Sequence, residues 1–313
     1  METAKTLISK HRVAIIAVGV FVAMSLISPY FFPPANIFGL FDSMAAYGIA
    51  AIGLTFVMLC GQLDISMGSV MALTACVFMM LLPVYGFAVS AIIALILGCA
   101  CGAVTGFFVS FFRLQPFIVS MTMQLVYKGI ALTITDSAPV SVNDTTLMAI
   151  SKVEFFSIPV VFFFFVAIAV AAQFVLVKTR YGRNLYIIGG NISAADNMGL
   201  NVRTHLWSVY VIQGVCAAVG GLVMMTRTFS ASGNLALDAP LSIIPMVIVG
   251  GTAFSGGRGG ALRTLCGVIL MSTIFNAMTM FSLYANIQQL IKGVILILII
   301  VSDKYMENRN SKV

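Results

Sequence analysis

"RYGRNLYIIGGNISAADNMGLNVRTH", residues 180–205, is the one long polar passage well inside an otherwise apolar chain. Its centre, ISAADNMG (192–199), is compatible with about two turns of helix. Glycines bracket it, and Arg180, Arg183 and Arg203 flank it. A helix that short, set between two apolar runs, spans nothing. A solvated surface loop would also suit the composition, but it would not need the glycine brackets. The length and the brackets read better as a rigid knob offered to a partner.

The surrounding composition fixes the class. The chain has 313 residues, of which 60% are hydrophobic and only 9% charged; its mean hydropathy is +1.07. Soluble domains carry roughly a quarter charged residues. So much apolar surface cannot be hidden from water at this length, and the chain reads as a polytopic helical membrane protein. Crossing the hydrocarbon takes about 20 apolar residues. Breaks at Pro, Gly and charge place ten spans, near 13–32, 44–61, 67–82, 86–112, 116–135, 157–177, 206–226, 241–254, 262–282 and 286–302. The spans near 44–61, 67–82 and 241–254 are short and glycine-bounded, so tilted or re-entrant forms stay open. The expected fold is therefore all-α: about ten transmembrane helices in a single domain over 1–313, with 178–205 as a cytoplasmic segment within it.

Charge sets the orientation. With ten spans and an inside N-terminus, 13 of the 17 Lys and Arg fall on the cytoplasmic side. Only Lys152 and Arg227 fall outside, while Lys128 and Lys292 lie within spans. The positive-inside rule favours this arrangement over its inverse, so both termini are expected in the cytoplasm. An odd span count is the main competitor. The net charge of +7 then follows from topology. No patch of basic and aromatic residues points to nucleic acid. The first apolar run is long and follows basic residues, as in a retained helix rather than a cleaved signal.

Several chemistries are missing from the sequence. No G-x-x-x-x-G-K-[ST] loop occurs, so the chain is not expected to bind or hydrolyse ATP alone. No H-E-x-x-H or Ser/His/Asp set is present, and the middles of the spans are nearly free of carboxylates. That scarcity weighs against an ion-coupled secondary carrier, which normally needs intramembrane acids. The six cysteines all lie in apolar runs and read as packing residues without a metal role.

The remaining polar groups are few. In CGQLDISMGS (60–69), Gln62, Asp64 and Ser66 occupy the turn between two short spans. A capping role there, satisfying helix N–H groups, stands beside direct solute contact. Gln124 and Lys128 are four apart, as are Gln288 and Lys292, so each pair shares a helix face. Asn276 and Gln213 add amides. Such groups suit a pathway for hydroxylated uncharged solutes, and they suit interhelical hydrogen bonding equally. Gly98, Gly102 and Gly106 form a small-residue stripe that reads as helix packing. A weak echo links GQLDISMGSVMALTACV (61–77) to GTAFSGGRGGALRTLCGV (251–268), the pattern an internal repeat would leave.

At these residues a resemblance becomes specific. RYGRNLYIIGGNISAADNMGLNV resembles the cytoplasmic coupling segment of ribose-type (monosaccharide) ABC importer permeases. GQLDISMGSVMAL is similar to that family's G-x-x-D-L-S-V-G-S stretch. PFIVSMTMQLVYKGIALTIT resembles its fifth span, and LDAPLSIIPMVIVGGTAFSGGRGG its glycine-rich stretch. The likeness runs in order from about residue 40 to 302. It implies a permease in the bacterial cytoplasmic (inner) membrane, paired with a second copy or a homologous permease. Two ATPase subunits, holding ATP and Mg, and a periplasmic or lipid-anchored solute-binding protein would complete the importer. Within it, Gly190, Asn191, Ala194, Ala195 and Gly199 would form the coupling helix in a groove of the ATPase. Replacing Ala195 by Asp is then expected to abolish ATP-linked uptake while leaving the chain folded. The cargo would be a monosaccharide or similar solute, with a nucleoside or autoinducer as the alternative. Ala236, Pro240, Pro245 and Met67 depart from the family pattern.

Overall fold

A computed structural model describes residues 12–27, 31, 33–155 and 158–310. The first 11 residues, the end of the expected first span and the last three residues lie outside this set. So do Lys5, Lys10 and Lys312, which carried part of the orientation argument.

Helices account for nearly all of the regular structure. In chain order they are α1 (Arg12–Ile27), α2 (Pro34–Leu59), α3 (Met67–Ser110), α4 (Pro116–Ile134), α5 (Thr145–Ser151), α6 (Val160–Lys178), α7 (Arg180–Gly190), α8 (Ile192–Asn197), α9 (Val202–Thr228), α10 (Ala239–Val249), α11 (Ala261–Met280) and α12 (Ala285–Asn310). Seven of them, α2, α3, α4, α6, α9, α11 and α12, are long and apolar enough to cross a membrane. The chain is a multi-pass helical membrane protein. Proline opens α2 and α4 at the first helical turn, where its missing N–H costs nothing.

Two of the short spans expected from sequence have physical explanations. The runs 67–82 and 86–112 are joined into α3, whose 44 residues amount to about 66 Å at 1.5 Å per residue. That is twice the hydrocarbon thickness of about 30 Å. The helix folds back at Gly86 (φ 71°, ψ 175°), three residues after Pro83. Phe78 and Phe87 pack edge-on at 5.5 Å across the bend. The run 241–254 becomes α10, whose 11 residues cover only about 16 Å.

The core lies between α2, α9 and the first limb of α3. There the glycine stripe serves packing. A Cβ on Gly102 would overlap the Tyr210 carbonyl, and one on Gly214 would overlap the Gly98 carbonyl. The second limb of α3 and α9 therefore meet backbone to backbone.

Four two-residue strands are the exception to an all-α chain. β1 (Val140–Ser141) pairs antiparallel with β4 (Ser230–Ala231), and β2 (Glu154–Phe155) with β3 (Ile158–Pro159). The β1–β4 pair ties together the two long loops near 136–156 and 227–240. Nearby, the start of α2 meets the ends of α9 and α11. At the opposite end, the C-terminus of α2 meets that of α7 and the loop 251–260.

Candidate functional site

The polar passage folds as two short helices, each with its own side-chain cap. Thr179 Oγ1 accepts from Gly182 N (3.1 Å) at the start of α7. Asn191 Oδ1 accepts from Ala194 N (2.9 Å) at the start of α8. Gly199 then turns the chain at φ +77°, and Asn201 Oδ1 accepts from Thr204 N (3.2 Å) to begin α9. Caps of this kind satisfy orphan N–H groups and each stabilise a helix by about 1 kcal/mol. The knob is thus built by local sequence.

Contacts with the bundle make it rigid. Tyr181 and His205 stack at 5.6 Å, Tyr181 Oη and Ser208 Oγ are 2.7 Å apart, and Asn184 Nδ2 lies 3.2 Å from His205 Nε2. Burial pushes the Tyr181 hydroxyl up to about 12, against the hydrogen bond to Ser208. Burial also raises Tyr186, against the nearby Arg263 charge. Both therefore keep their protons near neutral pH, and Tyr186 Oη donates to the Gly259 carbonyl (3.1 Å).

The end of α7 is pressed into the bundle. A Cβ on Gly189 would overlap the Leu59 carbonyl, and Gly257 N would lie 2.5 Å from it. Gly257 N donates to Leu59 O (2.9 Å). Gly190, one residue on, has open space around it.

Within α8 the two central alanines differ. Ala195 is fully buried against the bundle, whereas Asn191, Ile192, Ser193, Ala194 and Asp196 are exposed. Met198 just beyond is 69% exposed. The exposed edge is thus Ile192, Ala194 and Met198, with Ala195 holding it to the bundle. An Asp at Ala195 would bury a carboxylate, so the expectation that such a variant stays folded does not hold for this geometry.

The expected pathway residues separate into distinct places. Asn276, Gln288 and Lys292 come together around a cavity of about 270 Å³ between α2, α9, α10, α11 and α12. Asn36 and Asn276 exchange amide hydrogen bonds across it, at 2.8 and 3.3 Å. Lys292 Nζ meets Asp238 Oδ2 at 2.7 Å and lies 5.2 Å above the Phe275 ring. Arg227 donates to Gly39 O and Ser43 Oγ, both at 3.0 Å.

Gln62 lies elsewhere, in a cavity of about 340 Å³ with Arg113, Arg203 and residues of α8. Gln124 borders an apolar crevice with Leu63, Leu241 and Leu296. Asp64 is 3% exposed and accepts from Ser66 N (2.8 Å) and Ser66 Oγ (2.6 Å). It holds the turn before α3, and Ser66 makes no side-chain cap on that helix. Lys128 joins no salt bridge among the described residues, and it does not line the 270 Å³ cavity. Gln213 is fully buried on α9 against α2, with neither amide atom paired among the described residues.

Sequence reasoning missed Asn36, Ser43, Tyr47, Arg227, Asp238 and Ser272 as members of this site. Only Arg227 carried a signal, as a lone cation at an outer span end. The two echoing turns do touch, since a Cβ on Gly61 would sit 3.1 Å from Ser255 O. Among the described residues no group of acidic, His and Cys side chains is placed to hold a metal.

Comparison with known proteins gives a consistent picture. A family model described as "Branched-chain amino acid transport system / permease component" matches residues 36–300. The chain is 31% identical over 304 residues to the ribose import permease protein RbsC of Escherichia coli (strain K12), covering 93% of this chain and 92% of the relative. It is 30% identical to the D-allose transport system permease protein AlsC of the same organism, over 93% and 90%. It is 28% identical to the L-arabinose ABC transporter permease protein AraH of Azospirillum brasilense, over 97% and 90%. No solved structure gives a significant match.

Proposed function

The chain belongs to the permease family whose model it matches, in the branch of ribose-type ABC importer permeases; from that premise we propose that it is the membrane subunit of a sugar importer. It moves a monosaccharide, or a similar small hydroxylated solute, across the bacterial inner membrane into the cytoplasm. Relatives named for ribose, allose and arabinose support that solute class. The chain performs no covalent chemistry. Its work is alternating access, in which ATP-driven closure of partner ATPase subunits biases one arrangement of the spans over another.

The observation that carries this reading is the exposed edge of α8. A six-residue helix, capped at both ends and anchored by buried Ala195, presents Ile192, Ala194 and Met198 outward. Exposed apolar side chains on a rigid polar knob mark a docking surface. In the importer they seat in the ATPase, placing the segment and both termini in the cytoplasm. The loops joined by β1 and β4 then face the solute-binding protein. ATP and Mg are held by the ATPase, and a second permease completes the pair.

Co-purification from native membranes in mild detergent, with partners identified by mass spectrometry, tests the assembly. Recovery of an ATPase subunit is expected. An intact, folded chain recovered without any ATPase argues for a carrier working alone. Finding one permease species or two also separates a homodimer from a mixed pair.

A further inference from the structure

The cavity beside α11 and α12 contains a polar atom that the chain itself leaves unused. Ser272 is 5% exposed and borders the cavity, yet its Oγ has no hydrogen-bond partner among the described residues. Most hydroxyls in these helices bond back to a carbonyl four residues earlier. Thr273 Oγ1 donates to Ile269 O (2.8 Å), Thr55 Oγ1 to Ala51 O (2.8 Å) and Ser43 Oγ to Gly39 O (2.8 Å). Buried polar groups are nearly always paired, so an orphan on a cavity wall points to something that completes it. Gln288 also lines the cavity, with its Nε2 donating to Leu283 O (2.8 Å).

The acidic partner at the cavity is already taken. Lys292 is paired with Asp238. Arg227 makes no ion pair among the described residues and is held by neutral acceptors, Gly39 O and Ser43 Oγ. A zwitterionic solute would bring an ammonium whose one carboxylate partner here, Asp238, is already engaged. An uncharged hydroxylated ring needs only hydroxyls and amides. At about 270 Å³ the cavity is slightly smaller than the usual range for drug-sized ligands.

We propose that this cavity is a solute station within a single permease chain, selecting uncharged hydroxylated rings over zwitterions, with Ser272 Oγ as the group the solute completes. The identity of the solute rests on the sugar-importer reading; the existence of the station does not. The station deepens that reading by placing selection inside the permease itself. It also separates this chain from the amino acids named in the family description.

Saturation-transfer NMR on the full-length permease in lipid nanodiscs reads weak binding directly, without the ATPase. Ribose, allose, arabinose and valine are compared against the native chain, Ser272→Ala and Ser272→Phe. At least one of the three sugars is expected to give a signal, which Ser272→Ala lowers about twofold and Ser272→Phe at least fivefold. Valine is expected to give none. If Ser272→Phe fails to fold by thermal melting, Ser272→Ala carries the test alone. Absence of any sugar signal, a valine signal equal to the sugar's, or a sugar signal indifferent to both substitutions overturns the proposal. ATP-driven uptake is measured separately on the assembled transporter. A chain that binds sugar in a Ser272-dependent way yet imports none loses the importer reading and keeps the station.

Discussion

Gly189 of α7 lies with its Cα against the Leu59 carbonyl, and no side chain of any size fits between them. This junction joins the segment carrying α8 to the end of α2, whose other end lines the polar cavity. Gly189→Ala forces the two apart or distorts Gly257, a change of the overpacking kind that costs about 1–3 kcal/mol. Uptake is expected to fall at least tenfold. Gly190→Ala, one residue away in open space, is expected to lower uptake far less. Equal rates for the two variants would remove the junction from the mechanism.

Ala194 and Ala195 are expected to part company. Ala194→Arg places a long cation on the exposed edge of α8. It should abolish recovery of the ATPase on co-purification while leaving the melting temperature of the permease within about 2 °C of native, since surface changes usually stay within about 0.5 kcal/mol. Ala195→Asp buries a carboxylate at a fully enclosed position, so the chain itself should be destabilised by several kcal/mol. Thermal unfolding of both purified variants distinguishes the two effects.

The Lys292–Asp238 pair lies partly in solvent, with side chains 13% and 34% exposed. Removing one partner should cost less than the 3–5 kcal/mol of a fully buried pair and more than a surface pair, about 1–3 kcal/mol. Lys292→Met and Asp238→Asn are each expected to lower the melting temperature. The charge-exchanged double variant, Lys292→Asp with Asp238→Lys, should recover more than half of that loss. No recovery would mean that the two positions matter separately.

The close approach of α3 and α9 predicts a further asymmetry. Gly102→Val meets the Tyr210 carbonyl and should prevent folding or cost several kcal/mol. Gly129→Val on α4, where nothing lies within 4 Å, should be tolerated, since valine is a better helix former than the glycine it replaces. The yield of monodisperse protein in detergent measures both.

Much of the fold was legible because lipid demands long apolar runs, and the polar knob because it broke that pattern. The brackets read from Gly190 and Gly199 correspond to the ends of a real helix. The fold-back at Gly86 was signalled by Pro83, and the non-helical backbone at Gly86 separates the two limbs where the sequence breaks. The cavity was largely invisible. Asn36, Ser43 and Ser272 are small polar residues on separate helices, and nothing in their spacing brings them together. A serine in an apolar helix ordinarily bonds to its own backbone, as Ser43 does. That Ser272 does not is a property of packing alone. Gln124 and Lys128 show the related point that a shared helix face does not say what the face looks upon.

Reconstitution tests the central claim most directly. The purified permease is placed in liposomes with and without its co-purified ATPase, the solute-binding protein is supplied outside, and labelled sugar uptake is followed with ATP inside. Uptake is expected only when ATPase and ATP are both present, and it should vanish with Ala194→Arg. Sugar uptake by the permease alone, driven by an ion gradient and indifferent to Ala194→Arg, would contradict it.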